Sequence, residues 1–342
     1  MTTEKNQNNL NIIRLLAATG VLVSHSFPLI SGSDSSEPLF IFSHGQTTIG
    51  HCAVIIFFAI SGYLITTSYL KSQSKPRFVL ARLLRLLPGL AAVLVVLAFL
   101  LGPQVSTLTM AGYFGSWAPY HYVLGNLSLV AKFQDHLPSV FLDNPFAGAV
   151  NGSLWTLQYE VGCYGAVLLL GLVGALRWPV IVGLIVVFVL LEHMRRAGVV
   201  SELAIPFSVG ALVRLMPISL RTWPAAACAV LTLLSAHFGG FSVIAGTCGT
   251  YAILTFGLRK SSWLPDPVKH MGDLSYGVYV WAFPIQQLAV QMLGVHASWW
   301  LLIVCSLPPT LMIAALSWHL VEKPAMSLKP RRTDTIIYAG PA

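Results

Sequence analysis

Apolar residues along the chain gather into ten long runs: 11–29, 52–70, 85–102, 154–176, 178–192, 199–216, 223–238, 241–258, 273–293 and 298–319. A helix that crosses a bilayer needs about 17–25 mostly apolar residues, so the shorter runs predict tilt or packing against neighbours. Two polar segments between runs are long, 30–51 and 103–153. Loops of that length in a compact protein tend to be functional or disordered. The pattern predicts an all-α, polytopic membrane protein: a single bundle of about ten transmembrane helices over 11–322, with short tails at 1–10 and 323–342.

The basic residues give this pattern an orientation. With the N-terminus in the cytoplasm, seventeen of the 20 Lys and Arg residues, from Lys5 to Arg332, fall on the inner side. Only Lys132, Arg195 and Arg196 fall outside. That asymmetry follows the positive-inside rule and predicts that both termini are cytoplasmic. The formal net charge of +8 therefore reflects topology and does not indicate a nucleic-acid partner.

Composition agrees. Hydrophobic residues make up 56% and charged residues 9% of the 342, with mean hydropathy +0.74. A soluble domain carries about 25% charged residues, so a soluble enzyme is excluded. The five cysteines form no CxxC or zinc-like pair and read as small core residues. The first run lacks an A-x-A exit and predicts a retained helix. No histidine or carboxylate spacing suggests a metal site.

Against this apolar background the few ionisable residues stand out, because burying a charge in a membrane is costly and is usually tied to function. Arg14 and His25 interrupt the first run. Eleven positions at about 100° each bring them back to nearly one helix face, roughly 16 Å apart along the axis. Arg14 alone could snorkel to the surface, and His25 alone could be a satisfied core histidine. Glu160 lies one turn into the fourth run and needs a partner; the candidates are Arg14, His25 or an arginine of the 82–85 stretch. A carboxylate beside His25 would raise its basicity and fix its tautomer.

Arg82 and Arg85, three apart, share a face at the expected start of the third helix, where guanidinium forks and the helix dipole both suit phosphate. Their simpler reading is topogenic. Ser61-Gly62 sits mid-membrane, where small residues let helices approach closely. His44 and His51 could line an external site. Tyr113, Phe114, Trp117, Tyr120 and Tyr122 suit either a membrane-interface belt or a sugar-binding wall. Asn126 and Asn151 match the glycosylation acceptor pattern.

Six segments carry a resemblance: Arg14 with His25, FFAISGYLI (57–65), ARLLRLLP (81–88), LWTLQYE (154–160), LSYGVYVWAFPI (274–285) and WHLVEKP (318–324). In that order they resemble the acyltransferase-3 family of integral membrane acyltransferases, over about 10–326. The resemblance implies transfer of an acyl group, most often acetyl, from cytoplasmic acyl-CoA to a glycan or lipid-linked sugar at the outer face of a bacterial inner membrane. It implies His25 in catalysis with Glu160 and Arg14, and Arg82, Arg85 and Arg14 on the CoA phosphates. Ser61, Trp155, Ser275 and Tyr276 are candidates for the substrate channel or oxyanion site. Acyl-CoA enters as a substrate, with no permanently bound cofactor expected. Thr156 replaces a family serine, and Ala282 stands where many relatives carry a histidine after Trp281.

On this reading the nucleotide stays at the arginines while the thin phosphopantetheine arm reaches His25. His25 acts as general base on an acceptor hydroxyl, or forms an acyl-His intermediate. The alternative is a transporter or flippase that moves a glycan or lipid without making bonds, since intramembrane charges serve transport too.

Overall fold

In the computed structural model, which describes residues 8–259, 272–294 and 296–329, each of the ten apolar runs is occupied by a long helix. These are α1 (Leu10–Ser31), α2 (Ile49–Lys71), α3 (Lys75–Val105), α4 (Thr156–Leu172) and α5 (Trp178–His193). They continue as α6 (Val199–Leu215), α7 (Thr222–Phe238), α8 (Phe241–Gly257), α9 (Ser275–Leu293) and α10 (Trp299–Ser327). Four of them, α1, α2, α3 and α10, are long and apolar enough to cross a membrane. Among the described residues there is no strand, only two isolated bridges, Ser106 with Val140 and His136 with Ala149. Lys5, Lys260, Lys269, Arg331 and Arg332 of the charge count, His270, and residues 1–7 and 330–342 of the two tails lie outside the described residues.

α1 and α2 form the centre. α1 packs against α2 on one side and against α9 and α10 on the other, while α2 runs along α6. The α2–α6 contact is backbone to backbone. A Cβ on Gly62 would lie 1.9 Å from the Phe207 carbonyl oxygen, and one on Gly210 would lie 2.2 Å from that of Ala59. Glycine is therefore required at both positions, and the Ser61-Gly62 expectation resolves into Gly62 for packing and Ser61 for the site described below. α5 packs on α6, and α7 on α8. These outer helices expose large apolar side chains, among them Val186, Leu190, Leu233 and Leu234. A continuous apolar exterior of this kind is a surface for lipid.

Local sequence moved several expected boundaries. α3 begins at Lys75, well before residue 85, because Ser74-Lys75-Pro76 puts proline in the first turn, where its missing N–H costs nothing. Arg82 and Arg85 thus lie in the helix body, away from its positive end. α2 begins at Ile49. Its amide donates to Glu37 Oε1 (2.6 Å), and the Thr48 side chain accepts from the His51 amide. Glu37, fully buried, also accepts from the Phe40 amide (2.6 Å) and from the Ser24 hydroxyl, so one carboxylate ties the 30–51 segment to α1 and α2. α10 does not end near 319 but turns through a π-helical Trp318–Glu322 into Lys323–Ser327, which packs on α3.

The 103–153 segment is largely folded, with helices Met110–Gly115 and Ala118–Ser128. Two of the five aromatics at 113–122 belong to the core and to neither expected surface. Tyr113 is completely buried and donates to the Ala98 carbonyl (2.9 Å), with burial pushing its hydroxyl up to about 12; Tyr122 is buried as well. Trp117 remains exposed, stacked on Tyr120. Asn126 and Asn151 are buried and donate to the carbonyls of Gln134 and Val280, so neither presents a glycosylation acceptor. Four cysteines are partly buried, but Cys305 faces outward on α10.

Candidate active site

At the end of the bundle that holds Asn8 and the last turn of α10, three helices converge on α1. Asp273, just before α9, accepts from Arg14 of α1 and from Arg85 of α3 (2.6 Å) through the same oxygen, Oδ2. Its Oδ1 accepts from Ser275. Arg85 also donates to Glu322 (3.2 Å), whose other oxygen accepts from Ser317 (3.1 Å). The π turn aims Glu322 and the Trp318 ring at the same guanidinium, which lies 5.7 Å from that ring and 5.6 Å from Tyr276. Tyr276 in turn donates to the Leu86 carbonyl (2.8 Å).

This cluster answers the question of what balances the arginines. Arg14 and Arg85 are held by Asp273 and Glu322, neither of which the sequence had singled out. Arg82 is different: its Nε is buried and has no hydrogen-bond partner among the described residues. Lys329, beyond α10, is held below the usual lysine range by burial and then by Arg82 and Arg85. Arg14 and Arg85 are thus paired with Asp273 and Glu322, while Lys329 feels Arg82 and Arg85 as like charges.

Glu160 is not paired with Arg14, His25 or the 82–85 arginines within salt-bridge distance among the described residues. It accepts instead from Tyr164 (2.5 Å), one turn along α4, and from Ser61 of α2 (3.3 Å). Short α4 hydroxyl geometry and the facing α2 supplied neutral donors where the sequence suggested a cation. Glu160, Ser61, Arg14, Thr156, Tyr276 and Tyr279 line a narrow pocket of about 40 Å³. All three candidate hydroxyls have an acceptor: Ser275 donates to Asp273, Tyr276 to the Leu86 carbonyl and Ser61 to Glu160, and of the two serines Ser61 is the one that lines the pocket.

His25, three turns along α1 from Arg14, opens on a second and larger cavity of about 660 Å³. Its Nδ1 is sealed and has no hydrogen-bond partner among the described residues, while the ring packs edge-on against Phe283 (5.2 Å between centres) and keeps some accessible surface. The chamber is built from α1, α2, α6 and α9 together with the two long polar segments, which contribute Asp34, Gln46, Phe133, Asp135 and Phe146. Trp155 is in its wall. His51 is there too, with Nδ1 3.1 Å from the Thr47 hydroxyl and Nε2 3.6 Å from Glu202. His44 is not; it sits against His237. Asp34 is held above the usual carboxylate range, first by burial and then by Glu37.

The two cavities adjoin. Val54 of α2 and Tyr279 of α9 line both. Tyr279 is fixed there by its hydroxyl, which donates to the Ser153 carbonyl (2.5 Å) and meets Thr156 Oγ1 at 2.6 Å.

A helical bundle with an apolar exterior and an ionisable site inside it is an integral membrane protein. Residues 7–319 match the acyltransferase domain of the acyltransferase-3 family, and the chain belongs to that family. It is 32% identical over 342 aligned residues to an O-acetyl transferase of Shigella phage Sf6, an alignment covering 92% of this chain and 95% of that one. It is 28% identical over 353 aligned residues to Nodulation protein 10 of Rhizobium leguminosarum bv. viciae, covering 94% of each. No solved structure matches the chain. The protein is a membrane O-acyltransferase, and the matched region contains Arg14, His25, Arg82, Arg85 and Glu160.

Proposed function

We propose that the protein moves an acyl group, most often acetyl, from cytoplasmic acyl-CoA to a hydroxyl of a glycan or lipid-linked sugar presented at the outer face of a bacterial inner membrane. On this reading ten helices span and both termini are cytoplasmic. The observation that carries it is the pair of adjoining cavities on one face of α1, with Arg14 in the narrow one and His25 in the wide one. A donor too polar to cross needs a thin inward-facing passage, and a sugar acceptor needs a roomy outer chamber.

The CoA phosphates rest on Arg82, with Arg14, Arg85 and Lys329 adding positive field. The thioester extends past Ser61 and Glu160 to the boundary at Val54 and Tyr279. His25 takes the proton of the acceptor hydroxyl as the oxygen attacks the thioester carbonyl. The tetrahedral intermediate collapses, the C–S bond breaks, and the CoA thiolate receives the proton from His25. The Ser61 hydroxyl, whose proton rests on Glu160 before substrate binds, would donate to the oxyanion by turning from that carboxylate to the thioester oxygen.

Membranes supplied with acetyl-labelled CoA and candidate glycans test this reading. Labelled glycan from wild type and none from His25→Ala supports it. Full activity in His25→Ala removes the catalytic assignment. Absence of label transfer together with loss of glycan export in cells lacking the protein favours a transporter.

A further inference from the structure

The outer chamber has a charge character opposite to that of the whole chain. Three carboxylates line it, Asp34, Asp135 and Glu202, and no lysine or arginine does among the described residues. The basic groups within ion-pair distance of these acids among the described residues are imidazoles: His136 lies 2.5 Å from Asp135, and His51 lies 3.6 Å from Glu202. The chain carries a formal net charge of +8, so the absence of a fixed cation here is a local arrangement and not a consequence of composition.

Carboxylates and imidazoles accept hydrogen bonds from hydroxyls, and the chamber adds aromatic surface from Trp155 and Phe133 for the apolar face of a sugar ring. A further negative charge brought into this partly closed space would meet these carboxylates through a medium that screens far less than water. From this lining we infer that the acceptor is a glycan without acidic groups, either neutral or amino-bearing, and that uronic, sialic or phosphorylated sugars are excluded. This inference rests on the reading of the chamber as the acceptor site.

A like charge held several ångströms from a fixed carboxylate at intermediate dielectric predicts at least about tenfold weaker binding. The full-length protein in nanodiscs is tested for equilibrium binding of a neutral tetrasaccharide and of a matched tetrasaccharide with one uronic acid. The same pair then serves as acceptors with labelled acetyl-CoA. The expected result is at least about tenfold tighter binding of the neutral sugar, with the gap shrinking in high salt and in the Asp34→Asn/Glu202→Gln variant. Equal or tighter binding of the uronate overturns the inference. So does a preference that the variant and salt leave unchanged, and so does failure of both sugars to bind. Discrimination in binding without any transfer of label keeps the substrate class and overturns the transferase reading. Transfer to both sugars at equal efficiency does the reverse.

Discussion

Arg14 and His25 stand on one face of α1 yet open on different cavities, Arg14 on the narrow pocket beside Glu160 and His25 on the wide chamber beside His51. A single rigid helix thus fixes the separation of the two ends of the site. The expected consequence is that substitutions at the two positions fail differently. His25→Ala or His25→Asn should lower the rate of acyl transfer by about 10²–10⁴-fold, the range for loss of a general base, while donor binding persists. Steady-state transfer rates and direct acyl-CoA binding separate the two effects.

The boundary at Val54 and Tyr279 can be closed from one side. Val54 is almost fully buried and borders both cavities. Val54→Phe and Val54→Trp should add bulk at the junction in graded steps. Transfer is expected to fall with side-chain size while acyl-CoA affinity stays within a few fold. Parallel loss of donor binding in both variants would show that the junction lies on the donor side and does not separate the two substrates.

Asp273 is the joint of the ion cluster beside α1, holding Arg14 and Arg85 on one oxygen. Its removal leaves two buried guanidiniums short of a partner, which costs about 3–5 kcal/mol for a broken buried pair. Asp273→Ala should lower the Tm of the detergent-solubilised protein more than Glu322→Gln, because Glu322 keeps its bond from Ser317 and holds only one arginine. A scan of thermal unfolding for both variants checks the order.

Much of the architecture was legible from apolar run length alone, since a membrane helix advertises itself locally. Helix starts were less so: Pro76 moved the beginning of α3 ahead of Arg82 and Arg85 and so removed the dipole from their expected role. Asp273 and Glu322 escaped notice because they meet Arg85 across 188 and 237 residues of sequence, and nothing local marks that encounter. Glu160 misled in the other direction. A lone carboxylate called for a cation, but Tyr164 one turn on and Ser61 across the interface satisfy it with hydroxyls. The chamber could not be read at all, because its wall is assembled from residues of four helices and two polar segments far apart in sequence.

Glu37 offers a test of how firmly the outer segment is held. Fully buried, it caps α2 through the Ile49 amide and holds the Phe40 amide as well. Charge-assisted bonds of this kind contribute about 1.5–3 kcal/mol each when intact, and loss of a cap alone costs about 1 kcal/mol. Glu37→Ala should therefore loosen residues 30–48, seen as faster protease cleavage within that segment. Because Ser24, beside His25, also donates to Glu37, acceptor KM should rise with it. Glu37→Gln, which retains one acceptor oxygen, should fall between wild type and Glu37→Ala.

Arg82 and Arg85 share a helix face but not a job, and separate substitution should show it. Arg85 is bonded to Asp273 and Glu322 and flanked by two rings, so it is spoken for before any ligand arrives. Arg82 leaves Nε unpartnered among the described residues, in a place where a phosphate would satisfy it. Arg82→Ala should raise the KM for acyl-CoA about tenfold or more, equivalent to at least about 1.4 kcal/mol, with little change in Tm. Arg85→Ala should instead lower Tm, because it takes the arginine from buried Glu322 and leaves Asp273 with Arg14 alone of its two guanidiniums. Arg82→Lys restores charge without the fork and should recover only part of the donor affinity. If Arg85→Ala alone raises KM while leaving stability intact, the assignments of the two arginines are exchanged.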